Sequence, residues 1–192
     1  VDIPRIVNYI DKEIMKGDIA EAKLFNPDFI IANMHWGLEY ERIPSREQRE
    51  LADWLLRQGV DLVIGSHPHV VQPMELRRGK EGVTDRLVVY SLGNFISNMS
   101  REHTDGDVMV KVVLGRKGLR RYIVSAQYSL IYSSRYKNEQ GKEDIRVVPA
   151  ASWSGKNQNS SFSVDSALIK YVNNTRLFLK GNNKEVEEYI FE

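Results

Sequence analysis

Two apolar runs with a capped helix between them constrain this chain more than any other feature. The first run is PDFIIANMHWG, where Phe29, Ile30 and Ile31 are consecutive and apolar. A run without alternation is what a strand covered on both faces shows. The second is GVDLVIGSHPHVVQ, with Leu62–Ile64 as its apolar centre. Between them lies IPSREQRELADWLLRQG. Ser45 and Gln48 have capping-box spacing, Leu51, Trp54, Leu55 and Leu56 form a stripe, and Gly59 supplies a stop. Strand, helix and strand within about 35 residues make a βαβ unit, hence a parallel pair with a right-handed crossover. A third strand is expected in RLVVYSLGNF. Residues 25–96 therefore read as part of an α/β sheet.

In open α/β sheets, ligands bind beyond the carboxyl ends of the strands. The three expected strands end at His35, at His67 and His69, and at Asn94. If the strands are parallel neighbours, these residues converge. The chain has four histidines, and two of them flank a single proline. Proline biases the residue before it to extended geometry, and in an extended run residues i and i+2 point to one side. Both imidazoles would then aim at one volume, and neutral imidazole is a common ligand for Zn, Fe, Mn or Ni. Gly65 and Ser66 are expected to allow a tight turn before them. The other reading is a hydrogen-bonding pair with no metal.

Around this cluster, Glu39 is either a carboxylate orienting an imidazole or solvated. Trp36 and Tyr40 either line a pocket or belong to the core. Asn94 is a turn residue or a polar anchor for a ligand. Glu39, Asn94 and Trp36 are the expected substrate-binding residues. His103, in SREHTDGD, is expected to be exposed.

Elsewhere Asp2 is expected to cap a helix with Pro4 in its first turn and Ile6, Val7, Ile10 and Ile14 on one face, ending at Gly17. A second helix would run from Asp18 to about Leu24. After residue 106 the pattern alternates, with a turn at Gly115–Gly118, which implies an antiparallel hairpin. RKGLRR would be its solvated tip. A short strand is expected at Ile145–Val148, a helix from about Ser163 to Leu179, and a last helix from Lys184 to Tyr189.

Composition removes several function classes. With 27 Lys and Arg against 26 Asp and Glu, the net charge is +1, which offers no broad attraction for nucleic acid. The absence of cysteine excludes disulfides, zinc–cysteine sites and a cysteine nucleophile. No P-loop, dinucleotide-binding or G-x-S-x-G pattern occurs.

The ordered blocks HWGLEYERIPSREQRELADWLLRQGVDLVIGSHPHVVQPMEL and LVVYSLGNF resemble the CapA-type bacterial capsule-synthesis family. The resemblance covers about residues 3–115. That family is associated with poly-γ-glutamate biosynthesis and is similar to the calcineurin-like metallophosphoesterases. The resemblance implies a four-layer α/β/β/α fold, of which this chain would be the C-terminal part. The βαβ unit would be followed by antiparallel strands and C-terminal helices. It implies a domain over residues 1–135 and a loop-rich, helical extension over 136–192.

It also implies metal ligation by His35, matching a lone histidine. His67 and His69 match a Gly-His-x-His element, here with Gly65-Ser66 before the first histidine. The cofactor implied is a divalent cation, Mn, Fe or Zn, either held or lost in the fragment. Asn94 matches a signature block of unassigned role. The superfamily's Asp-x-His, Gly-Asp and Asn-His elements belong upstream, and the 34 residues before His35 hold no Asp-x-His and no Asn-His, with Gly17-Asp18 as their one Gly-Asp pair. The expected partners are therefore a missing N-terminal half or another chain, with a homo-oligomer as a further option. The expected substrate is a polymer or phosphate-containing compound, and the parent protein would sit at the cell envelope.

Overall fold

The computed structural model describes residues 8–80, 84–151 and 166–190. The helix expected from Asp2 lies largely outside them. What is described is one helix, α1 (Lys12–Leu24), capped by Asp11, whose carboxylate accepts from the amides of Glu13 and Ile14. The helix runs through Gly17 instead of stopping there. A solvent-facing glycine costs only about 1 kcal/mol in a helix, and a following turn can absorb that. Ile10 and Ile14 are exposed, and Ile19 is the residue this helix buries.

The βαβ unit is present. Strand β1 (Ile31–His35) pairs in parallel with β2 (Leu62–Ser66), and α2 (Arg46–Gln58) crosses between them. Both halves of the capping box form at Ser45 and Gln48, and Gly59 closes α2 with φ +99°. Two strands extend the sheet: β3 (Met74–Arg77) and β4 (Arg86–Val89). The order is β1-β2-β4-β3, with β4 parallel to β2 and β3 antiparallel to β4. The ends of β1, β2 and β4 thus share one sheet edge, as the sequence implies.

One expectation about β1 fails. It is an outer strand, and Ile31, Asn33 and His35 on one of its faces are exposed. Consecutive apolar residues at its start mark partial burial, not cover on both faces.

The second sheet is antiparallel. It contains β5 (Gly106–Lys117), β6 (Arg120–Lys137) and β7 (Glu143–Pro149), in that order. The hairpin turn is centred on Gly118, with φ +61°, while Gly115 lies within β5 opposite Tyr122. The tip is not simply solvated, because Arg116 pairs with Asp28 and Arg121 donates to the carbonyls of Pro27 and Asp28. The boundary expected at 135 falls inside β6. Helix α3 (Ser166–Asn182) adds Tyr171, Val172 and Leu179 to the core shared by the two sheets.

The expected last helix is instead β8 (Glu187–Glu188), parallel to β6, preceded by a bridge from Lys184 to Glu75. A six-residue helix cannot offset its own nucleation cost, whereas two strands here offer unpaired backbone groups.

The cores explain the layering. One core lies between α1, α2 and the first sheet, with Leu55, Val63, Val88 and Tyr90 at its centre. The other lies between the sheets, where Met74, Leu87 and Val89 meet Leu130 and Tyr128. The architecture is mixed α/β with one largely parallel and one antiparallel sheet, consistent with part of a metallophosphoesterase-like fold.

Candidate metal centre

Two backbone bonds zip the segments after β1 and β2 together. The Trp36 amide donates to the Ser66 carbonyl at 3.1 Å, and the Tyr40 amide donates to the Pro68 carbonyl at 2.8 Å. Gly37, at φ +89°, makes the turn between them, and a Cβ there would meet the Gln48 side chain at 2.6 Å. The buried Gln48 and Gln72 complete the clamp. Gln48 Nε2 donates to Gln72 Oε1 at 2.9 Å, and Gln72 Nε2 donates to the Glu41 carbonyl at 2.7 Å.

This zipper brings Glu39 to the histidines. One ligand atom each from Glu39, His67 and His69 lies within 4.8 Å of the others. Among the described residues this is the one such group of His, Asp or Glu side chains. The His35 ring is 4.5 Å from that of His67, centroid to centroid, and the His67 and His69 rings are 6.1 Å apart.

The convergence does not come from extended geometry. His67 has φ +103° and His69 has φ +58°, so both occupy the left-handed region that non-glycine residues avoid. Tyr40, at φ +66°, does the same. Three strained residues around one cluster cost on the order of 1–3 kcal/mol each, and such strain concentrates at functional sites.

Gly65 also has a different role from a turn. It lies inside β2, where a Cβ would sit 2.0 Å from the Tyr90 carbonyl oxygen and 2.5 Å from Trp36 Nε1. The missing side chain lets the Trp36 indole donate to the Tyr90 carbonyl at 2.8 Å.

Burial, followed by the neighbouring His35, pushes the His67 imidazole below its ordinary pKa, with Glu39 opposing. The ring is therefore neutral near pH 7, the form that offers a lone pair to a cation. Two imidazole nitrogens and a carboxylate facing one volume form a donor set that fits Zn, Mn or Fe in a mononuclear site.

The other expected site residues have scaffold partners. Trp36 is 4% exposed and sits in the core under α2. Asn94 is buried and donates through Nδ2 to Ser97 Oγ and to the Thr104 carbonyl, so it closes the base of the 94–105 loop. His103 is half-buried in that loop.

The model of the family described as bacterial capsule synthesis protein PGA_cap matches residues 2–99, just over half of the chain. The chain belongs to this family. All four residues around the cluster lie within the match. The PGA biosynthesis protein CapA of Bacillus subtilis (strain 168) is 35% identical over 115 residues, covering 60% of this chain and 28% of that protein. The capsule biosynthesis protein CapA of Bacillus anthracis is 35% identical over 107 residues, covering 56% of this chain and 24% of that protein. The chain thus spans about a quarter of the length of these relatives. Among its described residues, no helix is long and apolar enough to cross a membrane.

Proposed function

We propose that this chain is the C-terminal part of a metal-dependent phosphoesterase-like protein. The parent would act in capsule or poly-γ-glutamate assembly at the cell envelope. The observation that carries the reading is the meeting of Glu39, His67 and His69 at the carboxyl ends of parallel strands. Glu39, His67 and His69 would hold the metal, with His35 beside them. Bound there, a divalent cation supplies Lewis-acid activation of a phosphate or amide-like group. The neutral His67 ring and the clamp formed by Gln48 and Gln72 keep the donors oriented before the cation arrives.

The donor set falls short of a two-metal site, which needs a bridging carboxylate and about four to six protein ligands around cations some 3.5–4 Å apart. The remaining ligands would come from the rest of a family-length protein. Two open edges support this. Among the described residues no strand pairs with the outer side of β1, and the outer side of β5 is bridged only at its start, where Asp107 meets Gly93. Both strands border one apolar cleft of about 570 Å³, lined by Ile31, Ile64, Leu92, Val110 and Val112. Strands added on this side would extend both sheets and cover the exposed face of β1.

A second reading rests on the same shortage of carboxylates: a non-catalytic binding component that keeps the fold and uses no metal. Metal analysis of a family-length protein carrying this chain separates the two. The metalloenzyme reading expects Mn, Fe or Zn to co-purify and to be lost in a His67→Ala/His69→Ala double variant. A metal-loaded intact protein that retains none above background would refute it. The 192-residue chain alone is expected to turn over a generic phosphodiester negligibly.

A further inference from the structure

Beside the cluster lies a cation that the metal reading does not use. Arg101 sits with its guanidinium carbon 4.2 Å from the centroid of the Tyr40 ring. The Tyr40 ring in turn stacks on His69, with centroids 6.3 Å apart and planes 29° from parallel. A column of arginine, tyrosine and histidine thus links Arg101 directly to a member of the donor set.

The column is a built feature. Tyr40 is fixed by its amide bond to Pro68, and its strained φ of +66° sets the direction of its ring. The loop that carries Arg101 is pinned at four points. Asn94 closes its base on Thr104, and Ser133 Oγ donates to the Phe95 carbonyl. Arg135 donates to the Met99 carbonyl, and Thr104 Oγ1 donates to the Arg101 carbonyl itself. Those last two bonds hold the backbone next to and at the arginine.

Among the described residues the charge on Arg101 is not neutralised as that of the ion-paired arginines is. Arg46, Arg77, Arg78, Arg86, Arg116 and Arg176 each hold a carboxylate. Among the described residues, no such partner is found for Arg101. Stacking occupies only the flat face of a guanidinium, so the in-plane N–H donors stay free. A planar fork held flat by an aromatic ring is pre-organised for two parallel bonds to an oxyanion.

We propose that Arg101, on its Tyr40 platform, is an anion-binding subsite adjoining the metal centre, taking a carboxylate or phosphate group of the substrate. The inference extends the metal reading by naming the substrate's chemistry, but its own geometry does not need a bound cation. Asn94 acts here as a positioning residue, because it closes the loop that delivers Arg101.

Calorimetric titration of the 192-residue chain with inorganic phosphate, and separately with glutarate, tests this. Each titration is run metal-free and with saturating Mn²⁺. Arg101→Gln is expected to weaken binding at least 10-fold and Arg101→Lys by less, since a point charge loses the bidentate geometry. Tyr40→Leu should weaken it similarly, while Tyr40→Phe keeps the platform and the affinity. If only phosphate or only glutarate shows the Arg101 dependence, the subsite stands and its anion is identified. Manganese affinity, read by competition with a chromophoric chelator, should not change in Arg101→Gln. Arg101-dependent anion binding in a chain that holds no manganese would sustain this inference, and the metal reading would then stand or fall on the family-length protein. Equal anion affinity of wild type and Arg101→Gln, or no binding of either anion by wild type, would overturn it.

Discussion

Strands β3 and β1 bound the same sheet from opposite sides, and the chain treats them differently. The outer edge of β3 is covered by the segment after α3. Leu76 donates to the Lys184 carbonyl, Lys184 donates to the Met74 carbonyl, and Asn183 Oδ1 accepts from the Met74 amide. Glu75, with its side chain only 6% exposed, is held by Arg77 at 2.8 Å and Lys184 at 3.1 Å. Burial works against its carboxylate, but these two cations outweigh it and keep its pKa below the ordinary range. The edge of β1 has no such cover among the described residues. It leaves Ile31, Asn33 and His35 exposed beside a groove shared with α1. An uncovered edge invites another strand, and most proteins blunt or cover it. His35, at the end of this open strand, has its ring 4.5 Å from that of the strained His67, so the proposed metal centre adjoins the uncovered edge.

Four substitutions sharpen or break this contrast, from the largest effect to the smallest. On the covered side, Glu75→Ala would leave Arg77 and Lys184 facing an empty site. Both cations stay partly solvated and Arg77 keeps Asp53, so losing these charge-assisted bonds costs roughly 2–3 kcal/mol, to be read by urea denaturation. A cost below about 1 kcal/mol would mean that the salt links do not seal this edge.

Asp107, beside the open cleft, should behave in the opposite way. Burial raises its pKa to about 8, against 3.8 when exposed. Between these values the folded chain holds a proton that the unfolded chain has released. Stability therefore falls as pH rises from about 4 to about 8. Asp107→Asn removes this penalty. It should stabilise the chain on the order of 2 kcal/mol at pH 8, after the new amide's own burial is counted, with the gain fading toward pH 4. A gain that does not depend on pH would contradict the assignment.

His67→Gly tests strain at the cluster. Glycine adopts φ +103° freely, so melting should show a gain of about 1 kcal/mol together with loss of metal affinity. The smallest effect is expected for Arg116→Ala, at the base of the open side. Its pair with Asp28 is more than half exposed at both ends, and thermal melting should shift by less than about 0.5 kcal/mol equivalent.

The βαβ unit and the four-histidine inventory were legible because both rest on local patterns: a capping box, a stripe, an apolar run that ends in a histidine. Even so, a proline between two histidines favours extended backbone, whereas the chain holds both His67 and His69 left-handed and brings them together that way. The segment expected as a last helix instead bridges β3 through Lys184 and pairs with β6 through Glu187 and Glu188. Nothing local tells a short charged stretch that a distant strand edge will pair with it. Trp36 and Asn94 read as site residues because they adjoin strand ends, but burial and hydrogen bonding give them scaffold roles. Glu39 was visible as a carboxylate near His35, while its approach to His67 and His69 depends on the Tyr40–Pro68 bond. Arg101 gave no signal at all, because its place follows from a pinned loop and not from a motif.

The central claim is that Glu39, His67 and His69 form one metal-binding unit. The most direct measurement is manganese or zinc affinity of the 192-residue chain, by chelator competition, for wild type, Glu39→Gln and the His67→Ala/His69→Ala pair. One cation per chain is expected, weakened at least 10-fold by Glu39→Gln and abolished in the double variant. Equal affinity in all three proteins would contradict the account.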